Sequence, residues 1–72
     1  MINKNSTKKE VLEAVKKDGW LLIDASDEFR NDKDVVMEAV KQSGLALHYA
    51  SDELKNDKDV VITALKQHIF RL

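Results

Sequence analysis

Two aspartate pairs, Asp32-x-Asp34 and Asp57-x-Asp59, are the residues of this chain that most suggest metal chemistry. Alternating carboxylates open a calcium-binding loop, but such a loop also needs a glycine at its sixth position and a glutamate at its twelfth. Counted from Asp32, those places hold Met37 and Ser43, so the pattern breaks. Acids in the first turn of a helix, where the macrodipole favours negative charge, account for both pairs. His48 and His68 stand 20 residues apart, and no third donor falls at a spacing that would converge with them on a metal. Both read as surface or boundary residues. Ser26, Ser43 and Ser51 carry hydroxyls, yet nucleophilic catalysis requires a base and an orienting group within reach. Each serine sits at a helix cap or break that explains it locally. Two glycines in the whole chain are too few for a phosphate cradle or a nucleophile elbow. The expectation is a protein that is not an enzyme, with no catalytic, metal or cofactor residues.

Bulk properties narrow the classes further. With 72 residues, 43% of them hydrophobic, the chain can build one domain with a modest core and no cavity that encloses a substrate. Charged residues make up 35% but the net charge is −1, which argues against a nucleic-acid partner held by bulk charge. The lack of cysteine excludes a disulfide scaffold and thiolate zinc sites. The start of the chain has no apolar run of signal-peptide length, and no stretch approaches the roughly 20 apolar residues of a membrane span. A cytoplasmic protein with no membrane partner is expected.

The elements that must position these residues are set by repetition. Asn-Asp-Lys-Asp-Val-Val occurs at Asn31–Val36 and again at Asn56–Val61, 25 residues later. Laying Thr7–Asn31 on Asp32–Asn56 gives identity at 13 of 25 positions, and Asp57–Leu72 repeats the front of the unit. A fixed period of this kind marks a stacked-repeat architecture. The expected fold is all-α: a short array of about two and a half helix-turn-helix units, over residues 7–31, 32–56 and 57–72, within a single domain 1–72. Residues 1–5 are expected to be disordered.

Each unit opens with a helix. Asn31 and Asp32, and Asn56 and Asp57 one unit later, supply N-cap chemistry. Thr7 and Glu10 have capping-box spacing in the first unit. Val35, Val36, Ala39 and Val40 then fall on one face of a 3.6-residue period, with Met37 at its border. Gly19 and Gly44 read as C-terminal caps with positive φ, which would set Trp20 against Val15 and Leu45 against Val40. A second helix follows, on which Leu22, Ala25 and Phe29, or Leu47, Ala50 and Leu54, share a face. Ser26 and Ser51 sit midway and could instead cap a new short turn that splits this helix, and the sequence leaves both open. At the far end Ile69 replaces the capping glycine, so the last helix is expected to run on through Phe70 to Leu72.

The run Gly44-Leu45-Ala46-Leu47-His48-Tyr49-Ala50-Ser51-Asp52-Glu53-Leu54-Lys55-Asn56-Asp57, followed by Val60-Val61, resembles a helical-repeat family known as domain of unknown function 4116. The likeness extends from Thr7 to Gln67 and recurs in register, with Ile23-Asp24 departing from the family pattern. It implies a small α-helical module of a kind usually found in tandem, and brings no activity, ligand or catalytic residue.

Trp20, Ile23, His48 and Tyr49 are the candidate partner-binding residues, since aromatic side chains dominate binding hot spots. The competing account is that this second face packs on the neighbouring unit. Lys4, Lys8, Lys9, Lys16 and Lys17 form a basic cluster, but Glu10, Glu13 and Asp18 interleave, as on a solvated helix with i, i+4 pairs. The functional expectation is a non-enzymatic protein–protein interaction or scaffold module with a protein partner. The alternative is a small nucleic-acid-binding helical domain. Self-association through Ile69, Phe70 and Leu72 is a third expectation, because an apolar end is unusual for a repeat stack.

Overall fold

A computed structural model describes residues 2–70, and the side chains among them through Gln67. The side chains of His68, Ile69 and Phe70, and all of Leu72, lie outside that description. The expected self-association end falls there. The described residues form helices and turns without a strand: α1 (Lys8–Lys17), a 3₁₀ segment η1 (Gly19–Asp24), α2 (Asp27–Arg30), α3 (Lys33–Gln42), a second 3₁₀ segment η2 (Gly44–Tyr49), α4 (Asp52–Lys55) and α5 (Lys58–Phe70).

The order α–3₁₀–short α occurs twice and then begins again with α5, and the backbone repeats with it. Asp18 ends α1 at φ −150°, ψ 106°, and Ser43 ends α3 at φ −148°, ψ 112°. Ser26 and Ser51, which start the short helices, have φ −66°, ψ 162° and φ −63°, ψ 161°. The serines therefore split the expected second helix into a 3₁₀ segment and one α-turn. The Ser51 hydroxyl accepts from the Leu54 N–H at 3.3 Å, whereas Ser26 makes no side-chain cap bond.

Local chemistry explains where the long helices start. In α1 the Thr7 hydroxyl accepts from the Glu10 N–H at 3.3 Å, and the Glu10 carboxylate accepts from the Thr7 N–H at 2.8 Å, which completes a capping box. Asp32 accepts from the N–H groups of Asp34 and Val35 at 3.0 and 3.4 Å. Asp57 does the same for Asp59 and Val60 at 2.9 and 3.3 Å. Ile2 is buried against the core, and Asn3–Ser6 close a turn in which the Asn3 N–H donates to the Ser6 hydroxyl at 2.8 Å. Residues 2–5, expected to be disordered, thus carry an apolar anchor and a side-chain-bonded turn.

The glycines require a correction. Neither Gly19 nor Gly44 has positive φ, and the helices end in extended backbone at Asp18 and Ser43 instead. Glycine is needed because the next unit's helix comes so close. A methyl group on Gly19 would run into the carbonyl oxygen of Ala39, and one on Gly44 into that of Ala64. The cap geometry expected to set Trp20 on Val15 and Leu45 on Val40 is therefore absent. Trp20 packs on Tyr49, and Leu45 is exposed.

The core is a row of valines. Val11, Val15, Leu22, Val35, Val36, Val40 and Val60 are the largest fully buried side chains, with Ala39 and Ala46 in the close contacts between them. Fully burying such a side chain contributes roughly 1.5–3 kcal/mol. η1 packs against α1 and α3, and η2 against α3 and α5, so each 3₁₀ segment wedges between its own helix and the next.

Candidate interaction surface

Polar contacts between units recur with the period of the sequence. The Lys8 ammonium reaches Asp32 at 3.0 Å and Asp34 at 3.3 Å, and Lys33 reaches Asp57 at 3.2 Å and Asp59 at 3.0 Å. Each lysine therefore clamps the helix start of the following unit. Burial disfavours the ionised Asp32 carboxyl, but Lys8 and the N–H groups of Val35 and Asp34 outweigh it and hold its pKa below the ordinary value. Asp57 is lowered by the same balance through Lys33, Val60 and Asp59. Lys8 is raised by its bonds to Asp32 and Asp34, and Lys33 by those to Asp59 and Asp57. The Asp-x-Asp pairs are accordingly capping and clamping groups. Among the described residues, no three metal-binding side chains converge.

Lys8 was expected in a solvated basic cluster with partners along its own helix. Its partners lie across the unit boundary instead, because Asp32 and Asp34 present two carboxylates at that height of the stack. Lys4, Lys9, Lys16 and Lys17 are exposed.

A second set of bonds ties the short helices together. Arg30 donates from Nε to the Tyr49 carbonyl at 2.7 Å, the Ser51 N–H donates to the Arg30 carbonyl at 2.8 Å, and the Ser51 hydroxyl donates to Asn31 Oδ1 at 2.5 Å. These bonds fix η2 beside η1 and so build a ridge from the two 3₁₀ segments.

All four candidate partner-binding residues lie on that ridge. Trp20 and Ile23 come from η1, and His48 and Tyr49 from η2. Trp20 meets Tyr49 edge-on, with ring centroids 5.5 Å apart and planes at 66°. Trp20 is 42% and Ile23 51% exposed, and His48 is also exposed. Tyr49 is half-buried and serves packing as much as display. Ile23 and His48 occupy the same position in successive units, and both are exposed.

The sequence reading missed Leu45, which is 46% exposed on the same ridge, and Ile62 and Leu65 on α5. The misassigned glycine cap had hidden Leu45. Its alignment with Trp20 one period earlier was the available signal. Leu45, Leu47, His48, Val61 and Leu65 line an open groove of about 370 Å³ between η2 and α5. The Cα positions span 34 × 23 × 15 Å, and the groove is open to solvent.

A stack of short helices, locked by glycine contacts and lysine clamps at a regular period, defines an all-α helical-repeat domain. The family model described as Domain of unknown function (DUF4116) matches residues 8–51 and 37–72, two overlapping stretches that together span nearly the whole chain. The chain belongs to that family. No curated protein and no solved structure matches it. Among the described residues, no helix is long and apolar enough to cross a membrane.

Proposed function

We propose that this domain is a non-enzymatic module of the cytoplasm that binds a partner protein through the ridge of its two 3₁₀ segments. The observation that carries the proposal is the exposure of Trp20, Ile23 and Leu45 on the two 3₁₀ segments. Large apolar side chains gathered on one surface mark interaction sites. The Trp20–Tyr49 contact presents the indole in a fixed orientation, which lowers the ordering entropy lost when a partner docks.

The alternative, a nucleic-acid-binding domain, would draw on the lysines of the first unit. It gains less support, because Lys8 is already engaged by Asp32 and Asp34 and the neighbouring acids offset the rest. The test is capture of proteins from a lysate of the source cells by the tagged chain and by an Ile23→Asp variant of unchanged helicity. The proposal expects a protein that the parent chain retains and the variant loses. Identical recovery by both chains would remove the ridge as the binding surface.

A further inference from the structure

The net charge of −1 conceals a separation of charge across the molecule. Residues 18–31 and 43–56, which form the 3₁₀ segments and the short helices, hold six acids against Arg30 and Lys55. The rest of the chain holds seven acids and ten bases. The acids also differ in what they touch. On the long-helix side Asp32, Asp34, Asp57 and Asp59 are held by lysines, Glu38 by Lys41, and Glu10 by its capping box. On the connecting side only Asp27 meets a cation among the described residues, Arg30 at 3.8 Å, and Arg30 is itself bonded to the Tyr49 carbonyl. Asp18, Asp24, Glu28, Asp52 and Glu53 are exposed and form no ion pair among the described residues.

These carboxylates border an apolar row. Side chains three apart eclipse in a 3₁₀ helix, so Trp20 stands over Ile23 on η1 and Leu45 over His48 on η2. The Asp18 carboxylate accepts from the Trp20 N–H at 3.0 Å, which fixes it at one end of the η1 row. Asp24 follows Ile23 at the other end, where a helix dipole disfavours negative charge. Asp27 and Glu28 begin α2, and Asp52 and Glu53 begin α4, so an exposed acidic pair recurs in each unit. The row is open for reasons unconnected with where the stack ends. Trp20 is 42% exposed although the next unit already closes on it through Tyr49. Ile23 has a unit after it and His48 a unit before it, and both are exposed. A neighbour on either side therefore leaves this position uncovered.

We infer that the segment seated on this ridge is a basic one, with lysine or arginine interleaved among apolar anchors, an inference that rests on the reading of the ridge as a protein-interaction surface. Apolar side chains of the segment cover Ile23 and Leu45. A guanidinium or ammonium group lies on the indole of Trp20, where the ring face attracts cations, beside the carboxylate of Asp18. The acidic pairs steer the segment onto the ridge and fix its register, as charges at an interface rim do. Nucleic acid is repelled from this side by the same carboxylates. A second copy of the chain fits less well, because α1, its most lysine-rich helix, presents no large exposed apolar side chain beside those lysines.

The probe is a phage-displayed library of random dodecapeptides selected on the whole chain, with enriched peptides synthesised and titrated by fluorescence anisotropy. Enriched sequences should carry lysine or arginine among leucine, isoleucine or aromatic residues, and their affinity should fall as salt is raised. Ile23→Ser should weaken them by roughly tenfold or more, as loss of an apolar anchor does. Asp24→Lys with Glu28→Lys should also weaken them by roughly tenfold, and the milder Asp24→Asn with Glu28→Gln by roughly threefold. All three positions are exposed, and circular dichroism checks that helicity is kept. Enriched peptides that lack cations, or that bind the charge-reversed chain as tightly as the parent, would overturn the basic partner, and the ridge itself would stand if Ile23→Ser still weakens them. Peptides indifferent to Ile23→Ser would remove the ridge and the inference together. A library that yields no binder would overturn the inference, as would a mass that doubles when the chain alone is concentrated and stays monomeric with Ile23→Ser.

Discussion

The Cα of Gly44 lies so close to the main-chain carbonyl oxygen of Ala64 that a methyl group would not fit between them, and Gly19 has the same relationship to Ala39. Because both glycines keep negative φ, their role is to let a 3₁₀ segment approach the next helix. Gly44→Ala is therefore expected to lower stability by about 1–3 kcal/mol, as overpacking does. That is a large share of a total on the order of 5–10 kcal/mol for a chain of this size. The urea midpoint reads the loss. A glycine at a left-handed cap would be helped by a D-alanine; here chemical synthesis with D-alanine at Gly44 should bring no gain, and a gain would restore the cap account.

The lysine clamps should behave as register pins. Lys33→Glu places a carboxylate between Asp57 and Asp59, and should lower the urea midpoint at low ionic strength. The deficit should shrink as salt screens the repulsion. Lys58→Glu, one unit later, should leave the midpoint of the isolated chain unchanged. Equal losses from the two substitutions would contradict the assignment of Lys33 as a clamp between units.

Stability should fall at both extremes of pH, for reasons of opposite sign. Asp32, Asp57 and Glu10 have lowered pKa values in the folded chain. Their contribution is fully present above the ordinary carboxyl range of about 4 and is lost as pH falls through the lowered folded values. Lys8 and Lys33 are raised, so their contribution is fully present below the ordinary lysine value of about 10.4 and is lost as pH rises through the raised folded values. Urea midpoints should form a plateau between about pH 5 and 10. Asp57→Asn should lower the plateau and flatten the acid limb, and an acid limb unchanged by that substitution would show that other carboxyls control it.

Trp20→Ala separates binding from folding. It removes a half-exposed ring and one edge-on aromatic contact, which is worth about 0.5–1.5 kcal/mol beyond area. Leu22→Ala, in the closed core, should remove about 2–5 kcal/mol. Calorimetric melting should therefore rank Leu22→Ala well below Trp20→Ala, which should stay folded while losing its partner. A reversed ranking would mean that Trp20 belongs to the core.

Much of this architecture was legible because period and patterning are local. The valine face at Val35, Val36 and Val40, the capping box of Thr7 and Glu10, and the aspartate caps all follow from residue type and spacing, and the structure has each of them. The 3₁₀ segments were less legible, since Leu47, Ala50 and Leu54 fit one helix as well as two broken pieces. What breaks them is extended backbone at Ala50 and Ser51, held by a bond from the Ser51 N–H to Arg30 in the neighbouring unit. The glycines were misread for a related reason. A close approach to Ala39 or Ala64 is a tertiary contact, whereas a glycine at a helix end resembles a cap when only the local string is seen. The sequence pointed to Trp20, Ile23, His48 and Tyr49, which the structure places on the two 3₁₀ segments, whereas the exposure of Leu45 and the groove beside it depend on tertiary packing.

The most direct test of the central claim is capture by the tagged chain from a source-cell lysate divided into nuclease-treated and untreated halves, read by mass spectrometry. A protein recovered equally from both halves, and lost with Ile23→Asp, is the result expected of a protein-interaction module working through its ridge. Recovery that vanishes after nuclease treatment would contradict that claim and turn attention to the exposed lysines of α1.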